Sequence, residues 1–95
     1  MSQKSKWVET SYLLGEEEIV LPLRCCVEVR KNRIRTLIQH FQEHRSVWEI
    51  VFKSQWVESP NAHRAPHSKL DEAACVIADT IEDVVGVEFL EGLKG

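Results

Sequence analysis

Glycine-rich loops, regular cysteine spacings and long apolar runs are all missing from this 95-residue chain, and each absence removes a class of function. Without a glycine-rich stretch, backbone amides cannot close around a phosphate. No P-loop, dinucleotide fingerprint or nucleophile elbow appears, and no Ser-His-Asp arrangement. No cofactor is therefore expected. The three cysteines, Cys25, Cys26 and Cys75, are odd in number and irregular in spacing, which fits reduced thiols better than a disulfide framework. No apolar run approaches the roughly 18–20 residues that a membrane span needs. The N-terminal stretch has positive charge but no apolar h-region, so the expected setting is cytoplasmic, with no membrane partner. Internal repeats and low-complexity segments are not expected either.

What is present suits one small folded domain over residues 1–95, with residues 1–5 disordered and 58–68 a long loop. Its apolar fraction is 43%, enough for one modest core. The net charge of −3 is unevenly spread. Residues 1–23 carry two Lys against four Glu (−2), residues 24–69 nine Lys or Arg against four Glu (+5), and residues 70–95 one Lys against seven Asp or Glu (−6). A basic middle and an acidic end can steer a charged partner or pair two copies.

Hydrophobic periodicity predicts the elements. Trp7–Leu13 reads as a first strand, followed by a turn around Gly15 and the acidic run Glu16, Glu17, Glu18. Leu21, Leu23, Cys25, Val27 and Val29 alternate with polar residues, the pattern of a half-buried strand. Pro22 places that strand's start or an edge nearby. Asn32 offers an N-cap, and Ile34, Leu37, Ile38 and Phe41 recur at helical spacing, predicting a helix over 33–44. Residues 47–57 are rich in β-branched and aromatic residues and predict a strand with Trp48, Ile50, Phe52 and Trp56 on one face. Ser68 is the expected cap of a second helix, which runs to Gly86, and Val87 and Phe89 suggest a closing strand. The expected fold is α+β: a two-layer sandwich with a mixed sheet of 3–4 strands and two helices on one face, in the order ββαβα(β).

Three features bear on function. HFQEH, residues 40–44, matches the inverted zinc-hydrolase pattern and would set His40 and His44 one helical turn apart. Its third ligand would come from Glu49, Glu58, His63 or His67, and nothing in the spacing selects one, so no metal site is assigned. The segment 24–35 holds the densest basic patch: Arg24, Arg30, Lys31, Arg33 and Arg35. Such a patch would suit phosphates, although no RNP1, GXXG or zinc-finger signature accompanies it. Third, the aromatic strand exceeds what two short helices cover, and Trp and Arg dominate binding hot spots.

The leading expectation is a small non-enzymatic protein that acts by docking on a partner protein or as a homodimer, in the manner of a regulator, inhibitor or adaptor. Its partner-binding residues would be Trp56, Arg30, Lys31, Arg33 and Arg35. The alternative is a nucleic-acid-binding protein that uses the corner 24–35. Metal binding through His40 and His44 ranks third, and no catalytic residue is assigned.

Overall fold

Residues 2–15 and 18–94 are described by a computed structural model; Glu16 and Glu17 of the acidic run lie outside them. Six strands come first: β1 (Ser2–Lys4), β2 (Val8–Leu14), β3 (Ile19–Arg30), β4 (Arg33–Gln42), β5 (Val47–Lys53) and β6 (Val57–Glu58). Three helices follow: α1 (His67–Asp79), α2 (Ile81–Val85) and α3 (Val87–Gly92). The class is α+β, but every strand pairing is antiparallel. The expected mixed sheet and the order ββαβα(β) are corrected accordingly. β3 and β4 form the centre of the sheet. β1 and β2 lie end to end along β3, and β5 and β6 end to end along β4. Ser2–Lys4, in the stretch expected to be disordered, pairs with Glu28–Arg30.

The segment expected as the first helix is β4. Arg30 and Arg33 are direct partners, so Lys31 and Asn32 make a two-residue hairpin turn, with Lys31 at φ 55°. Asn32 is thus a turn residue and no helix cap. Ile34, Thr36 and Ile38 alternate with Arg33, Arg35, Leu37 and Gln39, a period of two that coexists with the helical spacing. β-Branched residues and hairpin pairing decide between the two in favour of the strand.

Leu21, Leu23, Cys25, Val27 and Val29 are all buried, as the alternation predicts. At Pro22, β3 pairs with β2 alone and its other side is an edge, as expected. The Val27 N–H points away from β4, toward Ser5. Backbone N–H groups alternate along a strand, so the Pro22 nitrogen faces β4. The β3–β4 pairing ends one residue later, at Leu23 opposite His40.

The helices cover this inner face of the sheet. The single helix expected from Ser68 to Val85 is broken. It begins at His67 without a side-chain cap, and it pauses at Thr80, whose hydroxyl donates to the Val76 carbonyl at 2.7 Å. Gly86, at φ 87°, ends α2 as expected. The expected closing strand at Val87 and Phe89 is instead α3, which buries Leu90. Phe52 meets Phe89 edge to face, with centroids 5.9 Å apart. The stretch 58–68 holds one 3₁₀ turn, Ala62–Arg64, tied to the hairpin. Ser59 N–H donates to the Asn32 carbonyl at 2.7 Å, and His63 Nδ1 bonds the Asn32 side-chain oxygen at 3.1 Å.

Contrary to expectation, the chain contains one short internal repeat, and the topology gives it meaning. Residues 4–9, KSKWVE, and residues 53–58, KSQWVE, occupy equivalent places on opposite edges of the sheet. Lys4, Val8 and Glu9 lie opposite Glu28, Cys25 and Arg24. Lys53, Val57 and Glu58 lie opposite Leu37, Ile34 and Arg33. A constant step of nine (28 to 37, 25 to 34, 24 to 33) carries each β3 partner to its β4 partner, and it also carries Val27 to Thr36, which are themselves paired. The sheet thus has a pseudo-two-fold axis normal to its plane, between Val27 and Thr36.

Each hexapeptide contains one residue more than the strand beside it, which is a β-bulge. In each, the serine repairs the interrupted ladder. Val27 N–H donates to Ser5 Oγ at 2.9 Å, and Thr36 N–H donates to Ser54 Oγ at 2.8 Å. The line Ser5–Val27–Thr36–Ser54 also divides the core. On one side, Leu23, Cys25 and Ile38 pack with Ala78, Ile81 and Leu90. On the other, Val27 and Val29 pack with Ala62, Leu70 and Ala74.

Candidate docking face of the sheet

The sheet face turned away from the helices holds all three tryptophans. Arg24, Cys26, Glu28 and Arg30 alternate with the buried β3 row, Lys4 of β1 lies opposite Glu28, and Arg33, Arg35, Leu37, Gln39 and Phe41 lie beside them on β4. Each bulged hexapeptide turns its Lys, Trp and Glu to this same face. The bulges set the aim: an extra residue kinks the edge strand and re-orients the side chain that follows it. In both copies that side chain is tryptophan.

Two stacked clusters result. At one end, the Arg24 guanidinium lies 4.9 Å from the Trp7 ring centre and 4.5 Å from that of Trp48. Arg24 Nε also donates to Gln39 Oε1, and Trp48 packs on Phe41 with centroids 5.3 Å apart. At the other end, Arg35 lies 4.4 Å and Arg30 5.7 Å from the Trp56 ring. Beneath them the buried Glu28 accepts a 2.6 Å charge-assisted bond from Arg35 Nε. Contacts of this kind contribute about 0.5–1 kcal/mol each where partly exposed. Together they form a lid over the sheet, so that Cys26 (0% exposed) and Leu37 (2%) are buried although they point away from the helices. Beyond this lid the face stays open, with Ile50 42% and Val20 58% exposed.

The expected partner-binding residues thus fall into two groups. Trp56, Arg30 and Arg35 come together in one stack. Lys31 and Arg33 stand at the hairpin end, where an open depression of about 410 Å³ is lined by Arg30, Lys31, Asn32, Arg33 and Glu58. Arg33 approaches Glu58 at 3.8 Å, with both side chains largely exposed. Arg24, expected in the basic patch, and Trp48, expected on one face with Trp56, join this face although neither stands among the expected partner-binding residues, and Trp7 is an addition to it. The repeated hexapeptide was the signal that could have found Trp7. The expected single face for Trp48, Ile50, Phe52 and Trp56 is also revised. A register shift places Ile50 opposite Gln39 but Phe52 opposite Ile38, leaving Val51 as an extra residue and turning Phe52 inward.

HFQEH loses its helical geometry. His40 is buried in β4 and His44 is exposed in the following turn. Gln42 Nε2 lies 3.1 Å from His40 Nδ1, within hydrogen-bond distance. Burial lowers the His40 pKa, opposed by the nearby Glu49 and Glu43 carboxylates. Glu49 sits directly opposite His40, whereas Glu58 belongs to Arg33. Among the described residues, no group of three His, Cys, Asp or Glu side chains could hold a metal ion. Both buried thiols, Cys25 on the inner face and Cys26 on the outer, are suppressed: burial pushes Cys25 up to about 11 and raises Cys26 as well. Cys75 is exposed on α1. None of the described helices is long and apolar enough to cross a membrane.

Compared with protein-family models, curated proteins and solved structures, the chain matches none.

Proposed function

We propose that this chain is a non-enzymatic docking protein whose outer sheet face binds an acidic, partly apolar surface of another protein chain. One observation carries the reading. The same hexapeptide on both edges delivers a tryptophan and a lysine to the one sheet face that no helix covers. Tryptophan and arginine supply most of the energy at protein interfaces, and they do so best when clustered near the centre of a patch. Here Trp7, Trp48 and Trp56 are held in place by arginines, so little side-chain freedom is lost when a partner arrives. Exposed Arg30, Lys31, Arg33 and Lys53 surround them, and Ile50 and Val20 add apolar surface.

The same face is where a nucleic acid would bind. Two features favour protein. Guanidinium groups already occupy tryptophan ring faces on which bases would stack, and Glu9, Glu28 and Glu58 lie among the cations. The test is affinity capture from native extract with tagged protein, nuclease-treated, beside the variant Arg30→Glu/Trp56→Ala. A protein retained by the wild type, released at about 0.5 M salt and lost in the variant is the expected result. Capture that depends on nucleic acid favours the alternative. A partner held equally by the variant rules out this face.

A further inference from the structure

The two outer surfaces of the molecule carry opposite charge. Glu72, Asp79, Glu82, Asp83, Glu88 and Glu91 are all exposed on the helical layer, within the segment that sums to −6. Val76 and Val87 stand exposed among them. The sheet layer presents Lys4, Arg30, Arg33 and Lys53, also with exposed apolar residues between. Two sheet faces laid together would oppose cation to cation, which disfavours a symmetric dimer through this face. A sheet face laid on a helical layer opposes cation to carboxylate.

From this arrangement we infer that the docking face takes a second copy of the chain, seating on that copy's acidic helical layer in a head-to-tail contact. The inference rests on the docking reading and names the partner. Such a contact is heterologous. Each copy that engages its sheet face leaves its own helical layer free, so association continues beyond two unless rotation closes a ring. Its strength falls with salt, because the charges meet near solvent and are screened over about 10 Å at 0.1 M.

Sedimentation velocity over a concentration series, at about 0.02 M and about 0.5 M ionic strength, tests it with two variants. Arg30→Glu/Lys53→Glu cancels the charge of the four sheet-layer cations. It is compatible with the fold because Arg30 opposes Arg33 in register, so a glutamate there replaces a like-charge pair by an opposite one. Asp79→Lys/Glu91→Lys weakens the acidic helical layer, leaving four of its six carboxylates against two new cations at the C-terminal ends of α1 and α3, where a cation suits the helix dipole. At low salt the wild type is expected to grow past dimer with concentration, and at high salt to be monomeric. Each variant alone associates less than the wild type at the same concentration. An equimolar mixture regains association, since the unaltered sheet face of one variant meets the unaltered helical layer of the other.

A wild-type monomer at low salt, a dimer that does not grow, or variants that fail to pair when mixed overturns the inference. If the wild type is monomeric while Arg30→Glu/Trp56→Ala still loses a captured protein, the docking face stands and its partner is another chain. If only the helical variant reduces growth, the sheet face is not the docking surface and the docking reading fails with the inference.

Discussion

Replacing Ser5 by alanine removes a single hydroxyl, and the geometry gives the size of the effect. Ser5 Oγ accepts from Val27 N–H at 2.9 Å and donates to the Lys6 carbonyl at 2.9 Å. Ser5 and Val27 are each 5% exposed, so water cannot reach the orphaned amide without distorting the edge. A buried donor left unpaired costs about 1–3 kcal/mol. For a chain of this length, a loss of ~2 kcal/mol lowers Tm by roughly 8–16 °C. Ser54→Ala removes the pseudo-symmetric bond to Thr36, but Ser54 is half-buried and solvent can replace it, so the cost should stay below about 1 kcal/mol. Urea unfolding of both variants reads the difference, and amide exchange locates it: the Val27 amide speeds up in Ser5→Ala and the Thr36 amide in Ser54→Ala. If Ser5→Ala unfolds within about 0.5 kcal/mol of wild type, or the two variants are indistinguishable, the hydroxyls do not repair the bulges as described.

Three further outcomes are expected. A thiol reagent at neutral pH should modify Cys75 rapidly and leave Cys25 and Cys26 unmodified until urea is added, because burial shields both and keeps them protonated; three fast thiols would contradict the buried sheet centre. His40 has its pKa lowered in the fold by burial, so the unfolded chain binds the extra proton. Stability is then full above pH 6.5, the ordinary value, and falls as the solution is acidified through the lowered pKa; His40→Gln should flatten that part of the pH–stability curve, and an unchanged slope would exclude His40 as its source. Leu23→Ala, at a fully buried site in the larger core cluster, should cost about 2–5 kcal/mol in urea unfolding, and a loss below about 1 kcal/mol would place that core elsewhere.

The inner row of β3 was legible because alternation there has no competing period. β4 was not, since Ile34, Leu37, Ile38 and Phe41 satisfy a helix as well as two faces of a strand. Leu37 is apolar on the outer face because the tryptophan–arginine lid buries it, a tertiary fact with no local signature. The break at Thr80 likewise follows from packing against the sheet, as Ala78 and Ile81 enter the same cluster from different helices. Charge segregation was legible as a sum over segments, but only the layers turned it into two opposed surfaces. The repeated KSxWVE hexapeptide was fully legible and is the clearest signal missed. Six residues at a spacing of 49 fall below the length at which repeats are ordinarily sought. Their meaning needed the antiparallel pairing that sets one on each edge.

The central claim is that the sheet face away from the helices is where another protein chain docks. A photo-reactive side chain placed at Ile50, exposed on that face, tests it most directly when compared with one at Glu43, exposed in the β4–β5 turn and on neither layer. Irradiation in native cells should yield a heavier protein adduct from position 50 that disappears when Arg30→Glu/Trp56→Ala is added, and none from position 43. An adduct from position 43 alone, or one from position 50 that survives those substitutions, would contradict it.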